Sequence, residues 1–494
     1  MFFVVWFVSG IVLMYAGFPE LGEGDRLAQL PQLDLSSARV GLAEAIAGAN
    51  VKGPPSRITV GMIGNRPVYR IRRQSGGWIT VFADSGELLQ KVDPATAIEI
   101  AAQSDSASPS KMHVVGELFD VDQWTVFPGS RPYLPFYVIA AEGDEGERTY
   151  VSAVTGSVYL KTTRRSRTLA WFGAIPHWWY VRALRAHSSL WQGVMIVVSF
   201  VGIVFCAAGI VAGILRFSPK SRYRFPGPNY SSIPYAGWKR WHFILGAVFG
   251  LFTFTWIFSG FLSMDPGDWS PGSGPGRVEV QSFAGGHLDP NAFLVTPSKA
   301  AILFQDCMHP VEIEPIVFQG KPYYLGKDAD SEVRLLSAQE SGEGCITQIP
   351  VPDLMQAGQR TMGIARLLDS TLLSEYDSYY YDRDRQRRLP VLRMRFTDAE
   401  KTWLYLDPRT ASIAARYTKR SRLERWLYSG LHDLDFPFLY GHRPVWDITV
   451  IGLSLGGILL SLTGTLLALK YVRKRYRQRR IPMRADRPGL LHKG

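Results

Sequence analysis

The sequence predicts a membrane α-helical protein with four transmembrane helices in two tandem parallel repeats, plus α+β domains outside the bilayer. Three observations predict this class. Residues 190–215, 243–264 and 448–469 are free of formal charge and reach the roughly 20 apolar residues that a bilayer crossing needs. The chain matches itself under a shift of 255 residues. Basic residues crowd into two segments that alternation of the helices puts on one side of the membrane.

Residues 1–17, "MFFVVWFVSGIVLMYAG", are apolar and lack the basic start and small-residue cleavage site of a signal peptide. They are expected to form helix one, shortened at its N-terminus. Residues 18–189 make the first external region, where "RPVYRIRRQSGGWITVFADSGELLQ" reads as strand, turn, strand, then a D-S-G-E turn leading into another strand, and "ATAIEIAAQ" follows as a helix. Helix two spans 190–215. The connection 216–241 carries six Lys/Arg and no acid. Helix three spans 242–264, and 265–447 is the second external region, where "LPVLRMRFTDAEKTWLYLDPRTASI" repeats the strand pattern. Helix four spans 448–469. The tail 470–494 carries ten Lys/Arg and one Asp. The positive-inside rule puts both basic segments, and with them both termini, in the cytoplasm. The net charge of +12 is concentrated there, so it argues for a lipid surface and against nucleic acid.

The repeat brings "HWWYVRALRAHSSLW" (177–191) onto "HDLDFPFLYGHRPVW" (432–446). His177 meets His432, His187 meets His442, and Trp191 meets Trp446. Thr155, Ser157 and Trp171 meet Thr410, Ser412 and Trp426; Gly202 and Gly209 meet Gly457 and Gly464. A shift of 250 aligns "WFVSG" (6–10) with "WIFSG" (256–260), so the second half carries a short insertion. Two halves of equal orientation imply a pseudo-two-fold axis along the membrane normal.

Five histidines sit where membrane helices begin or end. Imidazole is the usual axial ligand of haem iron, and helix bundles frame such sites. Ten residues along a straight helix rise about 15 Å and fall short of whole turns, so His177 and His187 cannot share one iron from one helix. Symmetry makes His187 with His442 the first expected pair and His177 with His432 the second. His242, at the inner end of helix three, would serve an inner site. Its first-half counterpart would fall upstream of Met1, which suggests a basic, histidine-bearing segment there in a longer product. The opposing possibility is that interfacial His and Trp merely mark the bilayer boundary, copied faithfully by duplication.

Cys307 and Cys345 share one external region. An oxidising compartment permits a disulfide between them, and two free thiols are equally open. Their spacing fits neither a zinc site nor covalent haem attachment. Cys206 reads as a packing residue in helix two. The acidic and aromatic run "LSEYDSYYYDRD" (373–384) either faces a substrate cleft or forms an edge strand with ordinary surface charge. No Ser/His/Asp order, HExxH or Walker motif appears, and no GxGxxG follows a strand. The 25-residue tail cannot hold a flavin or nicotinamide domain, so a redox role would need electrons from a quinol or a separate reductase.

"RPVYRIRR…WITVFADSGELL", "HFILGAVFGLFTFTWIFSGFLSMDP", "EYDSYYYDRDRQRRLPVLRM" and the two histidine stretches resemble the PepSY-associated transmembrane proteins of bacteria. The resemblance covers nearly the whole chain. It implies a multi-pass protein of the inner membrane with two periplasmic PepSY-type regions. Members with an assigned role are iron-regulated, haem-containing reductases of ferric siderophores. The resemblance therefore implies one or two haem b groups and a periplasmic ferric siderophore or other ferric chelate as substrate. The competing class is a non-enzymatic, membrane-anchored PepSY protein that binds or regulates, inhibiting a peptidase or assisting uptake.

Overall fold

The structure, a computed structural model, describes residues 1–104, 108–141, 144–225, 230–270, 272–339, 344–382 and 386–479. The chain is mixed α+β and divides into two compact units. One comprises Met1–Tyr15, Gly193–Met264 and Tyr428–Gly494; the other comprises Ala16–Gln192 and Asp265–Leu427.

Among the described residues, three helices are long and apolar enough to cross a membrane: Ser188–Arg216, Gly237–Leu262 and Val445–Gln478. The first turn of Ser188–Arg216 belongs to the α+β unit and the rest to the helical unit. The helix expected over 1–17 is Phe2–Leu13, 12 residues and about 18 Å long, short of a 30 Å hydrocarbon core. The third helix starts earlier than expected, at Gly237. The fourth runs on to Arg479, because the Lys/Arg-rich segment after 469 is made of good helix formers without a breaker. Phe200, Val204, Phe205 and Ile214 of Ser188–Arg216 are exposed, as lipid-facing side chains are. Small residues let the helices of this unit approach: a Cβ added at Gly456 would strike the Phe249 ring, and one at Gly457 the Phe7 ring. Phe7, Trp256, Leu434, Trp446 and Val450 form the buried core of the unit.

The second unit is built twice from one plan. In the first half β1 (Arg57–Ile63), β2 (Arg66–Arg72) and β3 (Trp78–Phe82) form a meander, and helix Pro94–Ser104 follows. Then β4 (Met112–Leu118), β5 (Phe136–Ala141), β6 (Asp144–Ser152) and β7 (Ser157–Thr162) form a four-stranded sheet in that order. After the short hairpin of β8 (Tyr223–Arg224) and β9 (Tyr230–Ser231) in the other unit, the plan returns. It comprises β10 (Glu312–Phe318), β11 (Lys321–Lys327) and β12 (Val333–Ser337), helix Val351–Met362, then β13 (Leu367–Leu373), β14 (Val391–Phe396), β15 (Trp403–Asp407) and β16 (Ser412–Tyr417). Strand β1 was not anticipated, and the strand expected after the D-S-G-E turn is a single bridge, Val81 to Leu88.

The two meanders are not separate modules. β1 pairs antiparallel with β10 at Val60 and Ile313, giving one six-stranded sheet in the order β12-β11-β10-β1-β2-β3. One core spans both halves, with Ile58, Val60 and Ile71 packed alongside Phe304, Ile313 and Tyr324. Separate cores join β10–β12 residues to the second four-stranded sheet and Ile63 and Val68 to the first. Cys307 and Cys345 form a disulfide across a separation of 38 residues. Its sulfurs staple the end of helix Pro297–Phe304 to the segment that bridges back to Leu335.

Candidate functional site

The duplicated stretches fold alike before each long helix. In the first, Trp191 Nε1 donates to the Trp178 carbonyl at 2.7 Å; in the second, Trp446 Nε1 donates to the Asp433 carbonyl at 2.9 Å. The matched tryptophans are thus latches that fold each segment back on the first turn of its helix. The Arg185 guanidinium lies 4.5 Å from the Trp191 ring centre, and Arg443 5.2 Å from that of Trp446. Neither segment is a continuous helix. Ala174–Trp178 ends at Trp179 in a left-handed conformation, and Pro437–Tyr440 ends well before Val445.

The histidines fall into two groups. His187 and His442 are exposed, and the carbonyl of each accepts the amide proton of the tryptophan four residues on. His187 belongs to the α+β unit and His442 to the helical unit. His177 is half-buried at the end of Ala174–Trp178, its ring edge-on to Trp178 at 6.3 Å.

His432 and His242 are held differently. The His432 Nδ1 lies 3.1 Å from the Trp256 carbonyl and 3.0 Å from Ser259 Oγ. A carbonyl only accepts, and the Ser259 hydroxyl gives its own proton to that same carbonyl. Nδ1 therefore carries the proton and Nε2 the lone pair. The ring stacks on Tyr428 at 5.4 Å, and Gly260 keeps its helix clear of Cε1. His242 repeats the arrangement at the other end of the same helix. Its Nδ1 lies 3.0 Å from Thr463 Oγ1, whose proton goes to the Leu459 and Leu460 carbonyls, and Gly464 lies against the ring. Proton on Nδ1, bonded to an oxygen, and lone pair on Nε2 is the tautomer of an iron-ligating imidazole with its supporting acceptor in place. The seventeen residues from His242 to Ser259 rise about 25 Å, close to the hydrocarbon thickness. Among the described residues no three His, Cys, Asp or Glu side chains converge on a metal position.

The acidic-aromatic run turns out to be internal support, although its last two residues, Arg383 and Asp384, lie outside the described residues. Asp377 Oδ2 accepts from the Tyr405 hydroxyl at 2.9 Å and from Arg393, and Tyr380 stacks on Tyr405 at 5.2 Å. Burial pushes Tyr380 up to about 12 and raises Tyr405 further, helped by the Asp377 charge. This lock has a twin: the Tyr150 hydroxyl donates to Asp122 Oδ2 at 2.8 Å. In both, the same carboxylate caps the amides two and three residues ahead. A second twin joins the Tyr69 hydroxyl to the Val40 carbonyl and that of Tyr324 to the Val295 carbonyl, each at 2.8 Å. Sequence reasoning missed both, although the 255-residue shift extends back to Val40 and would have found them. It also missed Ser259 and Thr463, whose signal is only a small hydroxyl followed by a glycine, Gly260 and Gly464. Neither the models of known protein families nor the curated proteins match this chain.

Proposed function

We propose that this chain is a PepSY-type protein of the bacterial inner membrane, with four membrane helices of which the first is shortened, both termini cytoplasmic and the α+β unit periplasmic. In this reading it holds haem b and passes electrons outward to a periplasmic ferric siderophore or similar chelate. The observation that carries it is the matched pair of prepared imidazoles, His242 and His432, at opposite ends of one membrane-length helix. Haem b, when bound, supplies reversible one-electron transfer at its iron. The residues of the chain do the rest. Thr463 holds the His242 Nδ1, and Ser259 with the Trp256 carbonyl holds the His432 Nδ1. Gly464 and Gly260 leave room beside the rings. His177, His187 and His442 are further candidate ligands. The exposed pair, His187 and His442, has no such support and ranks below the two supported rings. Electrons enter from a quinol or a separate reductase.

The test is the visible spectrum of detergent-purified protein from haem-replete cells. A Soret band with reducible α/β bands is expected, and His242→Ala and His432→Ala should each remove about half the pigment or turn it high-spin. A folded, colourless wild-type protein sinks the reading and leaves a binding or regulatory PepSY-type protein.

A further inference from the structure

The helix Arg164–Phe172 follows the first four-stranded sheet and carries one exposed face. Arg164, Arg165, Thr168, Trp171 and Phe172 fall at positions i, i+1, i+4, i+7 and i+8, and all are exposed, while Ala170 is buried behind them. The face is graded, with two guanidinium groups at its start and two rings at its end. Trp171 is 50% exposed and Phe172 65%, a large apolar surface for a water-facing helix of nine residues.

The second copy of this helix, Lys419–Arg425, shows that such exposure is not a requirement of the fold. Its Trp426, the counterpart of Trp171, turns inward and donates Nε1 to the Tyr379 hydroxyl at 3.1 Å beneath the Arg425 guanidinium. The first copy gives Trp171 no such place. Continuity indicates what covers it. Arg164–Phe172 packs on Ala174–Trp178, whose Trp178 carbonyl is bonded to Trp191 in the opening turn of the membrane-length helix. The exposed face and the start of that helix therefore belong to one unit.

We infer that Arg164–Phe172 docks on the outer surface of the bilayer. Arg164 and Arg165 pair with phospholipid phosphates while Trp171 and Phe172 sink into the headgroup boundary. Guanidinium groups suit phosphate through charge and paired donors, and an indole suits the boundary because it is apolar with one polar edge. The docking seats the external unit on lipid through its first half only. It is independent of any haem.

The experiment uses the full chain in lipid nanodiscs, in a Cys206→Ala background with the disulfide kept. Trp171→Cys is labelled with a polarity-sensitive fluorophore. Phe119→Cys is the reference, because Phe119 is 73% exposed beside the opposite edge strand of the same sheet. Discs are made of phosphatidylcholine alone or of an equal mixture with phosphatidylglycerol, each with and without headgroup nitroxide lipid. The label at 171 is expected to be blue-shifted and quenched several-fold more by the nitroxide than the label at 119, more strongly with phosphatidylglycerol. R164E/R165E should lower it toward the reference. Equal quenching at the two positions overturns the docking and leaves the face to a protein partner. Quenching at 171 that is unchanged by R164E/R165E overturns the pairing with phosphate.

Discussion

At the scale of single residues, the strongest constraints are side chains that satisfy several polar groups at once. Asp122 and Asp377 accept a tyrosine hydroxyl while capping their own turns, so each ties a loop to the β6 or β15 strand. A hydrogen bond to a charged acceptor is worth about 1.5–3 kcal/mol. Tyr150→Phe and Tyr405→Phe should each destabilise the α+β unit by that amount, read as an earlier thermal transition of the purified chain. Equal effects are expected because the two locks share geometry. A loss in only one copy would show that the duplication has diverged in its energetics. Arg70 is the opposite case, without a twin. It is buried, donates to the carbonyls of Thr155, Met62 and Gly156, and is pulled down to about 10 by burial, against the nearby Glu312 charge. Its counterpart 255 residues on is Leu325, so no repeat pattern points to it.

At the scale of elements, packing and cross-links decide. The 38-residue loop closed by Cys307 and Cys345 restricts the unfolded chain by about 4 kcal/mol in the loop-entropy description. C307S/C345S should therefore lower the unfolding midpoint of the α+β unit, and reductant should reproduce the shift in the wild type but not in the double variant. In the helical unit, Gly456→Val forces two methyl groups against the Phe249 ring. Overpacking of this kind costs about 1–3 kcal/mol and should shorten the half-life of the protein in detergent. Gly452→Val, on the same helix, is the matched control, since no atom lies within 4 Å of the added carbon.

At the scale of the whole molecule, the two halves of the α+β unit are joined by a strand pair and a charged network. Arg26 holds Glu312 through two bonds at 2.9 and 3.0 Å, and Arg57 holds Glu314 at 3.0 and 2.9 Å. Lys327 reaches back to Glu23 at 2.8 Å. In each contact one partner comes from the first half and one from the second. Burial alone would raise the Glu312 carboxyl, but Arg26 and then Lys327 and Arg57 hold it at about 2, below its ordinary 4.5. A depressed carboxyl stabilises the fold fully above its unfolded value and loses that contribution as pH falls from about 4.5 towards 2. The loss should be of order 3 kcal/mol and should appear as an acid-sensitive unfolding midpoint. Glu312→Gln should flatten this dependence while lowering stability at neutral pH, because it leaves half-buried Arg26 and buried Lys327 with less charge to face.

The sequence by itself determined what is local or copied. Uncharged runs mark the three long helices, alternation marks β2, β3, β14 and β15, and the shift of 255 residues pairs the histidine stretches and their tryptophan latches. Such features are carried by spacing along the chain, which periodicity and self-comparison read directly. Tertiary structure alone decided that β1 and β10 join the halves into one sheet, that Trp171 faces outward while Trp426 turns in, and that His432 and His242 gain partners for Nδ1. Each of these depends on groups far apart in sequence, and any of several serines, threonines or carbonyls would serve equally well on paper. Only packing selects the one that lies within reach.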